Sequence, residues 1–479
     1  MADGIHLERL GVPTVSIVTD AFPQSSDAMA RLEGAPGYRY VAIPHPMSNL
    51  TEDECAQRAA EVLPGVLDLL GLAGATPGPT ASPTSPAGAT GPGQSRPGAA
   101  APVGTDEAGP GPGPGPGSGS GAAPAGLTKV AVDELVRVVE HYYEQGWTDG
   151  LPVVPVSPDT VDAFLAAAGL DPDEGLLRVD HLDKTCTARL AAVAAGMAGC
   201  RPAHFPVVVA ALRALQPLAA TGLLQSTTGQ AMCLVVNGPI RAELGFNGAG
   251  SVFGPGYRAN ATVGRAMRLV VMNVLGVRPG GFDQSTQGTP GKYCLCIAEN
   301  QEASPWAPMH LERGFSPEDG VVTVHLARST VHVENRTSNR PEEVLTTIAD
   351  AMSYAGSYGC RAATVVMGPE HAHLVARAGW GREDVKQFLY DRWGRTLGDL
   401  RRMGLATGDG LTSTVPAPAQ PGGGRAGEPA GDDTFVHFGD GPQAVLLVVA
   451  GAGNAGVSTV IPAHRPMRQA VAFHSQRIG

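Results

Sequence analysis

Residues Met232–Leu275 read MCLVVNGPIRAELGFNGAGSVFGPGYRANATVGRAMRLVVMNVL. The opening run, Met232–Asn237, is apolar and suits a strand buried on both faces. Glycines then crowd Gly245–Gly256, and Asn260–Leu275 resumes the apolar spacing of a helix. Strand, loop and helix in succession are the repeating unit of an α/β fold. The alternation continues outward in both directions. Upstream come a helix at Val132–Gln145, the turn-rich WTDGLPVVPVSP (147–158), and helices at Thr187–Met197 and Ala203–Leu215. Downstream, strands are predicted at Tyr293–Ala298, Val321–Ala327 and Thr330–Glu334. A helix at Pro341–Tyr354, a strand at Ala363–Met367 and two helices to about Trp393 follow, then strands at Thr434–Phe438, Ala444–Val449 and Val457–Ile461. This pattern predicts an α/β region with two sheets, divided into residues 127–320 and 321–479, the second part interrupted at 412–433.

The first 72 residues repeat the alternation on a small scale. Strands are predicted at Thr14–Thr19 and Tyr38–Ile43, with helices at Ser25–Glu33 and Thr51–Leu70. Thr51 and Glu54 form a capping-box pattern for the last helix. Two strands and two helices make a small Rossmann-like fragment, too little for a stable sheet of its own. Of the 54 residues Ala73–Gly126, all but five are Gly, Pro, Ala, Ser or Thr. Such a stretch cannot offset its ordering entropy and reads as a disordered tether.

Composition narrows the function. A formal charge of −11 provides no basic field, so neither nucleic acid nor an anionic membrane surface is an expected partner. Seven scattered cysteines are not a disulfide framework. The start, MADGIHLERLGVPTV, lacks a basic segment followed by an apolar one, and the expected location is cytoplasmic.

Several clusters carry chemistry. In the glycine-rich loop Gly245, Gly248, Gly250, Gly254 and Gly256 permit close backbone approach, and Asn260 is placed to cap the helix that follows. With Arg258 and Arg265, the first turn would hold a phosphate or carboxylate; a tight structural turn beside a solvated basic face is the plainer alternative. GKYCLCIAENQEASPW (291–306) delivers Glu299, Asn300, Glu302, Ser304 and Trp306 at the carboxyl end of a strand, where ligands collect in open α/β sheets. A polar loop is the alternative there. Cys200, beside Arg201 and just before a helix, is a candidate thiol nucleophile or a small buried residue. Cys294 and Cys296 read as core thiols. Glu370-His371-Ala372-His373 opens a helix, where i and i+2 do not face each other, and no metal site is expected. Gly451–Gly456 matches GxGxxG, but the strand-like VSTVIP that follows points to a glycine-rich hairpin instead of a dinucleotide site.

DGIHLERLGVPTVSIVTD (3–20) with YVAIPHP (40–46) resembles the UGSC-like family, named for a selenocysteine- or cysteine-Gly-Ser-Cys motif upstream of this stretch. The segments GWTDGLPVVP, MAGCRP, VNGPI, GPGYRANATVGRA, GKYCLCIAENQEASPW and MGPEHAHLVARAGW resemble the larger domain found fused or adjacent to it. No Cys-Gly-Ser-Cys stands in this chain. The expectation is a start upstream of Met1 or a module that has lost the motif, and no residue of 1–72 inherits the family's thiol chemistry.

The resulting expectation is an enzyme acting on a small anionic molecule, with thiol redox or carbon–sulfur chemistry as the reaction class. Glu299, Asn300, Lys292 and Cys200 would serve the reacting centre. Gly248, Gly250, Gly254, Gly256, Arg258, Asn260, Arg265 and Trp306 would bind substrate. The alternatives are a non-catalytic metabolite-binding protein and an accessory subunit of a redox partner. A homo-oligomer or a partner subunit fits either, and no cofactor is identified.

Overall fold

The computed structural model describes residues 1–20, 22–44, 52–72, 129–225, 227–407, 410–411, 431–465 and 471–479. The tether expected at 73–126 lies outside them, as do Thr51 and most of the break expected at 412–433. The N-terminal module runs α1 (Ala2–Arg9), β1 (Ile17–Thr19), α2 (Pro23–Leu32), β2 (Val41–Ile43) and α3 (Glu52–Leu69). The sequence reading had no α1. β1 and β2 pair in parallel, Ile17 opposite Val41, because α2 supplies the crossover that parallel strands require.

The larger region opens with α4 (Lys129–Glu144), α5 (Pro158–Ala168), the ribbon β3 (Gly175–Val179) and β4 (Lys184–Thr187), α6 (Ala188–Ala198) and α7 (Phe205–Ala219). Then come β5 (Ala231–Asn237), α8 (Ile240–Leu244), α9 (Arg258–Leu269), β6 (Cys296–Ala298), α10 (Met309–Glu312), β7 (Gly320–Ala327) and β8 (Val331–Glu334). α11 (Pro341–Met352), β9 (Arg361–Met367), α12 (Pro369–Arg377) and α13 (Arg382–Arg392) follow. The side elements β10 (Gly394–Thr396), α14 (Leu397–Arg402), β11 (Ala406–Thr407), β12 (Gly410–Leu411) and β13 (Phe435–His437) precede β14 (Val445–Val449), β15 (Val457–His464) and β16 (His474–Ile478).

The fold is α/β with several sheets. The principal one has eight strands in the order β14-β9-β15-β7-β5-β6, with β16 also on β7 and β8 also on β15. Residue 320 therefore does not separate two sheets: β7 lies antiparallel along the whole of β5, from Ala231 opposite Ala327 to Asn237 opposite Val321. Gly451–Gly456 enters β15 and not a helix. It is also not a hairpin, because β14 and β15 flank β9 on either side.

Side-chain alternation sorts this sheet into cores. Leu234 and Val236, opposite Val324 and Val322, pack under α6, α7 and α9. Val365 and Val460 pack with Val344, Ile348, Val385, Leu389 and Trp393 of α11, α13 and its C-terminal cap. On the opposite face Val235, Ile297, Val366, Val448 and Ile461 share a third core. That core draws on both edge strands because the sheet curls: Asn300 N–H, just past β6, donates to Val449 O of β14 at 2.8 Å. Leu212, Leu215 and Leu218 of α7 are fully buried, and each contributes about 1.5–3 kcal/mol. Among the described residues no helix is long and apolar enough to cross a membrane.

Candidate functional site

α9 projects Arg265 and Arg268, three residues apart and so on one face. Beyond its end the chain turns back through Asp283–Lys292 and lays a polar loop beside these guanidiniums. Arg268 Nη2 donates to Asp283 Oδ2 at 2.9 Å. Lys292 Nζ donates to both oxygens of the same carboxylate, at 2.8 and 2.6 Å, and to Ser285 Oγ at 2.6 Å. The Ser285 hydroxyl in turn donates to Asp283 Oδ1. Arg265 makes a two-pronged bond to Asp149, at 2.8 and 2.7 Å, and reaches the carbonyls of Leu151 and Pro152.

A cavity of about 490 Å³ opens on this cluster. Asp149, Arg268, Asp283, Ser285, Gln287 and Lys292 give it polar groups, and Met272, Pro279, Pro290 and Tyr293 give it apolar ones. The ions are nearly withdrawn from water, with side-chain exposures of 9% for Arg268, 2% for Asp283 and 14% for Lys292. Burial alone would raise the Asp283 pKa. The Lys292 and Ser285 hydrogen bonds, the Lys292 charge and the Arg268 bond outweigh it and hold the carboxyl down to about 2. Burial lowers the Lys292 pKa, opposed by its bond to Asp283 and that group's charge.

Of the residues expected from sequence, the structure brings Lys292 to this cavity, and Arg265 reaches its wall through Asp149. Arg258 lies elsewhere, its Nε donating to Gly199 O at 2.9 Å. Asn260 is not the helix cap; α9 begins at Arg258 with Tyr257 as its cap residue. The Asn260 side chain is buried, accepting from Asn247 N–H and donating to the carbonyls of Asn247 and Cys296. Gly248 packs the loop against the end of β6: a Cβ there would stand 2.7 Å from Ala298 O. Gly250 lies against Ala452, and Gly254 beside Ser251 within the same loop. Gly256 has φ +114°, a conformation that favours glycine.

The Glu299 backbone lies against Gly248 of the glycine-rich loop, but its side chain is a buried ion and does not stand in a cleft. It has no exposed surface. Oε1 accepts from Arg382 at 2.6 Å, and Oε2 accepts from Asn237 at 2.6 Å and from Met309 N–H at 2.9 Å. Asn300 donates to Gly451 O and accepts from Ala303 N–H. Trp306 donates to Trp380 O at 3.0 Å. Neither Glu299, Asn300 nor Trp306 lines the cavity.

Cys200 is buried, and that burial pushes its thiol up to about 12 despite a hydrogen bond with Thr262 and the charge of Arg258. An activated nucleophile requires the opposite shift. Burial likewise raises Cys294 to about 11. His371 turns inward, with Nδ1 2.8 Å from Ser458 Oγ, while His373 is exposed. Among the described residues no group of three His, Cys, Asp or Glu could hold a metal.

Sequence reasoning missed Asp149, Arg268, Asp283 and Ser285. One signal was present: Arg268 stands three residues after Arg265, so a ligand-facing reading of one applied to both. Asp283 and Ser285 gave none, because their partners come from α9 and from beyond the turn.

No curated protein and no solved structure matches the chain. Residues 1–72 match the model of the UGSC family. The N-terminal module is thus UGSC-like over residues 1–72, and the larger α/β region that follows it holds the cavity.

Proposed function

We propose that the larger region is an enzyme acting on a small anionic molecule bound in the cavity beside Lys292. One observation carries this reading. Three cations largely withdrawn from water, Arg265, Arg268 and Lys292, meet two carboxylates, Asp149 and Asp283. An uncompensated buried positive charge is costly, and an anion entering the cavity would relieve it. Lys292 and Ser285, both bonded to Asp283, are then among the lining groups that can pass a proton, as acid–base chemistry needs. Of the expected reacting centre of Glu299, Asn300, Lys292 and Cys200, this reading keeps Lys292 and adds its loop.

The test is calorimetric titration of the full chain with a panel of small carboxylates and inorganic phosphate. Binding should saturate, and Lys292→Gln should weaken it by roughly tenfold or more, about 1.4 kcal/mol, while thermal unfolding stays cooperative. Absence of saturable binding by every anion would overturn the proposal. Incubating a bound anion with the protein and analysing the products separates turnover from a purely metabolite-binding role.

A further inference from the structure

We infer that the ligand of this cavity is a monocarboxylate with a flat apolar body, an inference that rests on the anion-site reading above. Three observations converge on that class. The first is charge. Arg265 is neutralised by Asp149, and Asp283 is shared by Arg268 and Lys292, which leaves this network with one positive charge in excess. Arg278 pairs with neither lining carboxylate, unlike Arg265, and is engaged by Gly146 O and Asn273 Oδ1 outside this ion network. A monoanion cancels the surplus in full. A dianionic phosphate would replace a buried positive charge with a buried negative one, at no gain.

The second observation is where the cations sit. Phosphate sites commonly use the N–H groups and positive dipole at a helix N-terminus. Here α9 contributes Arg268 from near its C-terminal end and runs on as a π turn over Val270–Val274, with Met272 at the cavity wall, so the ligand meets the flank of this helix and not its N-terminus. Side chains, and not the N–H groups of a long helix, hold the anion.

The third is the remaining wall. Met272, Pro279, Pro290 and Tyr293 are apolar surfaces around the ion cluster, and the volume of about 490 Å³ is far larger than a bare carboxylate or phosphate requires. It falls in the usual range of small-molecule pockets. Tyr293 is about half exposed at 53%, so its ring stands partly free for a ligand to cover. Aromatic rings stack in offset or edge-on geometry on one another, which makes a planar body the best occupant.

The experiment compares phenylacetate, acetate and inorganic phosphate by calorimetric titration of the full chain near pH 7. Phenylacetate should bind roughly tenfold tighter than acetate, the scale expected when an apolar ring leaves water, and tighter than phosphate. Tyr293→Ala should shrink the phenylacetate-to-acetate ratio by about threefold or more, and its half-exposed position makes that variant a poor candidate for unfolding. Phosphate binding more tightly than phenylacetate would overturn the monocarboxylate class while leaving an anion site in place. Equal affinity for acetate and phenylacetate would overturn the apolar body. Failure of all three to bind would remove both this inference and the site beneath it.

Discussion

At Asp283, burial and ion pairing act in opposite directions, and the pairing wins. A carboxyl lowered from 3.8 to about 2 gains stability in its ionised form. That stability is fully present above about pH 4, and it is lost as pH falls from there toward 2. Its size is on the order of 2 kcal/mol at 1.4 kcal/mol per unit. Urea unfolding of Asp283→Asn and the parent at pH 6, 4 and 3 should therefore show the parent losing stability more steeply below pH 4. Parallel curves would mean that Asp283 is not held down by Lys292 and Arg268. The thiols provide a second residue-level check. Of the seven cysteines, only Cys55 is exposed, Cys294 is half-buried and the other five are buried. An aromatic disulfide reagent at pH 7.5 should label one thiol quickly, and Cys55→Ser should remove that fast phase. A fast-reacting Cys200 would revive it as a nucleophile. Cys200 was legible in the sequence as either nucleophile or core, and nothing local could choose, because the burial that raises its pKa comes from residues distant in sequence.

Elements differ in how much of themselves the sequence announces. α5 carries its own signals: Ser157 caps it by accepting from Thr160 N–H, Pro158 opens it, and Gly169 closes it with φ 63°. It is not among the helices expected from the sequence, although these local signals were all present. β6 shows the reverse. A strand was read from Tyr293, but pairing begins only at Cys296, since Pro290–Lys292 form a tight helical turn first. At its end, Glu299 and Arg382 join β6 to α13, and Arg382 also donates to Leu447 O of β14. Arg382 also pairs with Glu312 at 3.1 Å, so Glu299→Ala leaves the guanidinium one carboxylate of two and strips Asn237 and Met309 N–H of their acceptor; it should cost about 3 kcal/mol in urea unfolding. The double variant Glu299→Gln/Arg382→Met should be less destabilised than the sum of the single changes by about 1 kcal/mol or more. Strict additivity would show that the pair does not clamp these elements together.

Across the larger region, one sheet carries both halves that the sequence had divided. β7, from the second half, is the central strand between β5 and β15. Cutting at 320 would expose the long edges of β5 and β7 and empty the core they share with α7. Separate fragments 129–320 and 321–479 should therefore fail to give cooperative thermal unfolding, whereas their co-expression should restore it. Two independently melting fragments would establish the boundary as one between domains. The cavity depends on the same integration, because α9, the 283–292 loop and Asp149 converge only when packed on the sheet.

The sequence by itself determined the α/β class, the main strands and helices, the N-terminal βαβ fragment and Lys292 as a residue of interest. Hydrophobic period and turn residues are local properties, so they survive without a structure. Only the tertiary structure decided that eight strands share one curled sheet, that Glu299 is a buried ion and that Lys292 meets Asp283 and Arg268. Those outcomes turn on strand register and on which charges are brought out of water together. Both are set by contacts between residues far apart in the chain, as with Asp149 and Arg265.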